Sequence, residues 1–313
     1  MQTTLKLYTQ DLSWLGQVFD EKFLASPLTE ERLESFTETD KERLAENGVI
    51  KEDGTIEPEA YALLDVLAKP ETVVDIILRR GPFQARQILY RNKQSLVSAV
   101  YEEDRVLLAM PPKTIRLMDL VEGYFGKSSV MGCNLSVQLD DVTAMVFLVL
   151  IDHYRRASFK AMAEEKEFLY TGAKQIDIQE GIDEIKENVQ SLAYQLFLLR
   201  GGYPPISGTE VEESLQKCLA LDLVSQQDGY YVPIGEAMLF AGSFLVLENF
   251  LSLVVGTQKD EELYRSHGLI IQAGPIDLIY MESTQEGILL ECISSKEASS
   301  LLAEIIHLPA DVI

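Results

Sequence analysis

The sequence predicts an α+β fold: a central antiparallel sheet flanked by two helical bundles, organised as a pseudo-twofold internal repeat. Three observations predict it. A D-G-x-x-x-P motif occurs twice, each half carries two β-rich runs joined by a short charged turn, and residues 140–200 between the halves are strongly helical.

The repeat comes first, because an internal period decides the architecture of everything else. Residues 44–64 (LAENGVIKEDGTIEPEAYALL) align with residues 219–239 (LALDLVSQQDGYYVPIGEAML) at a constant offset of 175. Leu44 meets Leu219, Val49 meets Val224, Leu64 meets Leu239, Asp53-Gly54 meets Asp228-Gly229 and Pro58 meets Pro233. Asp-Gly closes a tight two-stranded turn because glycine adopts positive φ without strain. Proline then suits the first turn of the following helix, where an N–H would go unused. After a gap of two, Glu71–Leu78 meets Glu248–Val255. After a further shift, Ser95–Met110 meets Asp277–Cys292, each reading as a β-hairpin. Each copy closes on a helix, at about Thr114–Phe125 and Ser295–Ile306.

The predicted units are therefore an N-terminal α+β repeat, 1–126, and a C-terminal unit, 127–313. The second comprises a helical hairpin at 140–200 and the second repeat at 207–308. Pairing the two into one continuous sheet hides two strand edges that would otherwise invite aggregation. Residues 1–40 open with a strand at Thr4–Tyr8, then helical pieces, and Thr39-x-x-Glu42 reads as a capping box for the first repeat helix. In the hairpin, Asp140–Glu165 and Asp177–Arg200 each show helical apolar spacing, the second through Ile182, Ile185, Val189, Leu192 and Leu196. Arg200-Gly201-Gly202 and Pro204-Pro205 stop it, and 164–181 is the connecting loop.

Composition narrows the function. The apolar fraction of 47% with 25% charge suits a folded globular chain. Fifty acidic against 27 basic residues give a formal charge of −23, which disfavours nucleic acid and anionic membrane as partners. The longest apolar run, Ala144–Ile151, is too short for a membrane span, and the N-terminus carries no secretory signature. Cys133, Cys218 and Cys292 are odd in number and scattered, which predicts a reducing compartment, no structural zinc and a cytoplasmic location.

Residues that carry chemistry are sparse, and the sequence predicts no enzyme, cofactor or metal. His153 lies in an apolar helical run, His307 near the end of the last helix, and His267 beside Gly268 in an expected loop; none has a partner at dyad, triad or metal spacing. Gly123–Ser129 resembles only the end of a phosphate loop and follows a helix rather than a strand. The segments around 215–232 could form a winged helix-turn-helix, but they are acidic or neutral where a DNA reader is basic.

The run Gly48–Glu71 (GVIKEDGTIEPEAYALLDVLAKPE), followed by the apolar strand Val73–Leu78, resembles the EspG-type chaperones of type VII secretion systems. The opening Leu5–Phe19, a strand and then an Asp-Leu-x-x-Leu helix, is similar too. This resemblance implies a cytoplasmic, non-enzymatic chaperone with a quasi-twofold sheet between two helical bundles. It also implies that a helical secreted substrate is gripped by the sheet face, a strand-connecting loop and the C-terminal helical bundle.

The predicted partner-contact residues are aromatic or sit at an exposed turn: Tyr230, Tyr231, Tyr264 and Tyr280, and the charged hairpin tip with Glu102, Glu103 and Arg105. Along the second hairpin, Leu278, Tyr280 and Glu282 share one face and Ile279 and Met281 the other. The expected function is a protein-binding module, a secretion chaperone or adaptor holding a helical partner soluble. The alternatives are a regulatory or scaffold protein of the same fold, and a ligand-binding domain with a pocket on the pseudo-twofold axis.

Overall fold

The structure, a computed structural model, describes residues 3–28, 37–93, 95–111, 114–243, 247, 249–259, 261–272 and 277–307. Twelve strands and ten α-helices lie among them. The N-terminal part runs β1 (Thr3–Tyr8), α1 (Thr9–Gly16), α2 (Glu38–Glu46), α3 (Pro58–Ala68), β2 (Thr72–Arg80), β3 (Phe83–Arg91), β4 (Leu96–Glu102), β5 (Arg105–Met110) and α4 (Thr114–Phe125). The middle holds β6 (Ser136–Leu139), α5 (Asp141–Ala163), α6 (Gln175–Asp183), a 3-10 turn (Ile185–Glu187), α7 (Leu192–Leu199) and α8 (Gly208–Ala220). Then come β7 (Val224–Gln227), β8 (Tyr230–Pro233), α9 (Gly235–Ser243), β9 (Asn249–Lys259), β10 (Glu262–Gln272), β11 (Leu278–Thr284), β12 (Gly287–Ile293) and α10 (Ser295–His307).

Ten strands form one antiparallel sheet in the order β1-β5-β4-β3-β2-β9-β10-β11-β12-β6. Its seam is the β2–β9 pair, where Asp75 lies opposite Val254, Ile76 opposite Leu253 and Ile77 opposite Ser252. β7 and β8 make a separate two-stranded ribbon, turned by Asp228 and Gly229, both at positive φ (50° and 80°) as a two-residue hairpin requires.

Alternation along the strands divides the apolar side chains between two faces. On one face Val74, Ile76 and Leu78 of β2 and Leu251 and Leu253 of β9 pack under α4 (Val121, Phe125) and α10 (Ala298, Leu302). On the other, α1 and α3 cover β1 and β3–β5, with Leu12, Leu15, Leu63 and Leu67 against Leu7, Val97 and Leu108. At the far end of that face α5 lies among α6–α9 and covers β10–β12. Its run Ala144–Ile151 is buried on every side, as a helix apolar all round must be. Phe147 stacks on Phe240 of α9 at 6.3 Å.

Several expectations are corrected. The predicted helix Asp177–Arg200 is broken: α6 ends at Asp183, and α7 restarts at Leu192, where Ser191 caps it by accepting from the Tyr194 N–H at 2.9 Å. Val189, in the break, is 56% exposed although it sits on the predicted apolar stripe. Part of the expected 164–181 loop is helical, since α6 begins at Gln175. The capping box of α2 is Thr37 with Asp40, two residues earlier than predicted. His267 lies within β10, not in a loop, its Nδ1 3.2 Å from the Leu199 carbonyl oxygen. Leu64 is fully buried whereas its aligned counterpart Leu239 is 50% exposed. Cys133 and Cys292, read as unpaired, are joined in a disulfide with Cα atoms 6.3 Å apart. The His307 side chain, residues 308–313 and Glu248 lie outside the described residues.

Candidate partner-binding surface

The seven predicted contact residues fall into three places. Glu102, Glu103 and Arg105 form the β4–β5 turn, with Glu103 at φ 51°. There the Arg105 guanidinium lies 5.2 Å from the centre of the Tyr8 ring and donates to the Tyr8 hydroxyl at 3.3 Å. The second place is the β7–β8 ribbon. Tyr230 is half-buried, with the Lys174 ammonium 5.0 Å from its ring centre. Tyr231 points the other way, 4% exposed, its backbone paired with Ala173 and its hydroxyl accepting from Gln226 Nε2 at 3.0 Å. The third place is the second half of the sheet. Tyr264 on β10 is 53% exposed and donates to Glu262 at 2.6 Å. Tyr280 on β11 is 7% exposed, inside the core under α10, where burial pushes its phenol well above the usual range. Tyr231 and Tyr280 are thus core residues, and the other five are not gathered onto one surface.

The aromatic choice failed at Tyr280 because both faces of β11 are covered: Leu278 and Tyr280 by α4 and α10, Ile279 and Met281 by the α5 group. At the centre of the sheet one face stays half-open, as the face of β1 and β5 turned away from α1 and α3 also does at Lys6 and Leu107. On β2 and β9, Asp75, Ile77, Ser252 and Val254 point away from α4 and α10, and all four are half-buried. The helices covering β3–β5 and those covering β10–β12 leave this strip between them. Arg86 of β3 crosses it, donating twice to Asp75 through Nε at 3.0 Å and Nη2 at 2.7 Å, with its guanidinium 6.0 Å from the Tyr101 ring centre. Beside Asp75, and despite partial burial, Arg86 is held more firmly protonated than usual. The strip thus offers apolar side chains, a satisfied ion pair and small polar groups to something laid across it. A signal existed in sequence: Asp75 and Ser252 interrupt otherwise apolar strands, and a polar residue mid-strand marks a face that is not sealed.

In fold, the chain is similar to a secretion chaperone. The solved structure of the Mycobacterium tuberculosis type VII secretion system chaperone EspG5, in complex with a PE25–PPE41 dimer, superposes with a TM-score of 0.52. The likeness covers 99% of this chain and 97% of that one, at 12% sequence identity. By sequence, the chain matches no family model and no curated protein. The likeness therefore concerns the fold, from end to end.

Among the described residues, the histidines form no constellation. His153 on α5 has Nδ1 3.0 Å from the Tyr170 hydroxyl, beside Tyr154 and Phe168, and burial lowers its pKa below 6.5. No described helix is long and apolar enough to cross a membrane.

Proposed function

We propose that this chain is a non-enzymatic cytoplasmic chaperone or adaptor that holds a helical protein partner soluble. One observation carries the reading: its fold is similar over its whole length to that of a secretion chaperone whose solved structure contains a protein dimer. The half-open strip at the β2–β9 seam supports it. An amphipathic helix laid there would bury Ile77 and Val254 and meet the Asp75–Arg86 pair at its polar edge. In this reading residues 1–126 and the repeat at 207–308 within the C-terminal unit 127–313 are two copies of one unit related by a pseudo-twofold axis. The pairing of Ile76 with Leu253 supports that, since the two are aligned equivalents once the gap of two is counted.

Co-expression with a helical secreted protein recovered by native pull-down is expected to give a soluble one-to-one complex. Ile77→Arg combined with Val254→Glu, both half-buried, should weaken that complex at least about tenfold while leaving the fold intact by circular dichroism. A native pull-down that recovers no helical secreted protein, or a complex indifferent to the double variant, overturns the reading.

A further inference from the structure

A cavity of about 420 Å³ opens beside the C-terminal half of α5, away from the strip at the sheet centre. Asp152, Arg155, Arg156, Phe159 and Lys160 recur at i, i+3, i+4, i+7 and i+8, so one helix face forms one wall. Asn188, Gln190 and Ser191, from the segment that breaks the helical hairpin, and Leu247 supply the rest of the lining. The volume falls in the range of small-molecule sites, roughly 300–1,000 Å³.

The cavity's charge runs against the chain. Acidic residues outnumber basic ones 50 to 27 overall, yet among the described residues this lining holds three cations and one carboxylate. That carboxylate, Asp152, is buried and already committed to Arg155 and to the backbone N–H groups of Leu192 and Ala193 at 3.0 and 2.9 Å. Arg156 and Lys160 are exposed at the mouth, and among the described residues neither makes an ion pair. Glu184 and Glu187 line a smaller recess that shares Asp152, Arg156, Asn188 and Ser191 with this cavity, and neither is in the lining of the cavity itself among the described residues. The Phe159 side chain, 54% exposed, completes an apolar wall under these two charges.

We propose that this cavity binds an anionic amphiphile, a long-chain carboxylate whose alkyl chain lies along Phe159 and Leu247 and whose head group meets Arg156 and Lys160. An apolar wall favours the chain by removing it from water, and a guanidinium beside an ammonium favours a carboxylate over a neutral or cationic head.

Isothermal titration of the full chain with dodecanoate, below its micelle concentration, is expected to show one saturable site. Dodecanol should bind at least about tenfold more weakly, and dodecyltrimethylammonium not measurably. Arg156→Glu with Lys160→Glu, both at the surface, should weaken dodecanoate by at least about tenfold with an unchanged circular dichroism spectrum. No saturable binding of dodecanoate, equal binding of the cationic amphiphile, or indifference to the double charge reversal overturns the proposal. So does an acidic amphipathic peptide that occupies the cavity where dodecanoate neither binds nor competes.

Discussion

Ile76 of β2 faces Leu253 of β9 across the seam of the ten-stranded sheet, and both are buried under α4 and α10. This pair ties the two halves of the chain together at the middle of its longest shared element. Truncating either to alanine removes buried methylenes from a site that backbone pairing prevents from collapsing, at a cost of about 2–5 kcal/mol each. Because they are cross-strand neighbours, the double variant should depart from additivity by at least about 0.5 kcal/mol. Urea unfolding of the two single variants and the double variant measures this, and strict additivity would mean the seam is not packed as described.

Asp152 does for α7 what its own sequence cannot. The carboxylate, on α5, accepts from the first two N–H groups of α7 and pairs with the buried Arg155. Asp152→Ala removes the acceptor of the first two N–H groups of α7 and the carboxylate beside a buried guanidinium, so a loss of about 3–5 kcal/mol is expected. Hydrogen exchange should show α7 opening first. If exchange at Leu192 and Ala193 is unaltered, the capping role is wrong.

Acid should loosen three helix starts. Asp40 is held down to about 2, from an ordinary 3.8, chiefly by the Thr37 N–H, then by the Thr37 hydroxyl and Arg43. Glu210 and Glu297 are lowered in the same way by Ser207 and Ser294. A carboxylate whose folded pKa lies below its unfolded one stabilises the fold above the unfolded value, and that contribution is lost as pH falls through the folded value. The caps of α2, α8 and α10 should therefore weaken as pH drops below about 4, that of α2 down to about 2. A carboxyl titration by NMR checks it: Thr37→Ala, which removes the hydroxyl and keeps the backbone N–H, should raise the Asp40 midpoint part of the way to 3.8, and a wild-type midpoint already at 3.8 would mean the cap does not form.

How much of this was legible in the sequence depended on the range of the physics involved. Local chemistry read well. The Asp228-Gly229 turn, the β4–β5 and β11–β12 hairpins and the buried run of α5 follow from turn propensity and apolar pattern over a few residues. What failed was set by distant partners. The apolar spacing from Ile182 to Leu196 runs straight through Asn188–Ser191, where the Ser191 cap and a carboxylate on α5, distant in sequence, together make a new helix start. Thr37 and Thr39 each stand three residues before an acid, and tertiary context, with Arg43 bridging Asp40 to Asp11, favours the first. β6 is four residues long and half polar, too little pattern to register until β12 pairs with it. As for the site, tyrosine enrichment selected Tyr280, whose surroundings are set by which strands α4 and α10 cover, whereas Asp75 and Ser252 carried the better signal.

That short edge strand also brings Cys133 to Cys292. The Cys292 N–H donates to the Leu135 carbonyl at 2.8 Å, and the two sulfurs, 159 residues apart in sequence, are joined. A cross-link closing so long a loop restricts the unfolded chain and is expected to stabilise by about 2–4 kcal/mol. Denaturing the unreduced protein should then expose one reactive thiol, the buried Cys218, whose pKa burial pushes up to about 12; reduction should expose all three. Thermal denaturation with and without dithiothreitol gives the second readout, since Cys133→Ser with Cys292→Ser should match the reduced wild type under either condition. Three thiols reacting before reduction would mean that the pair stays reduced, as a cytoplasmic location would favour, and the midpoint would then not respond to reductant. The count therefore tests the cross-link and the compartment together, because a persistent disulfide and the reducing cytoplasm inferred from scattered cysteines do not ordinarily coexist.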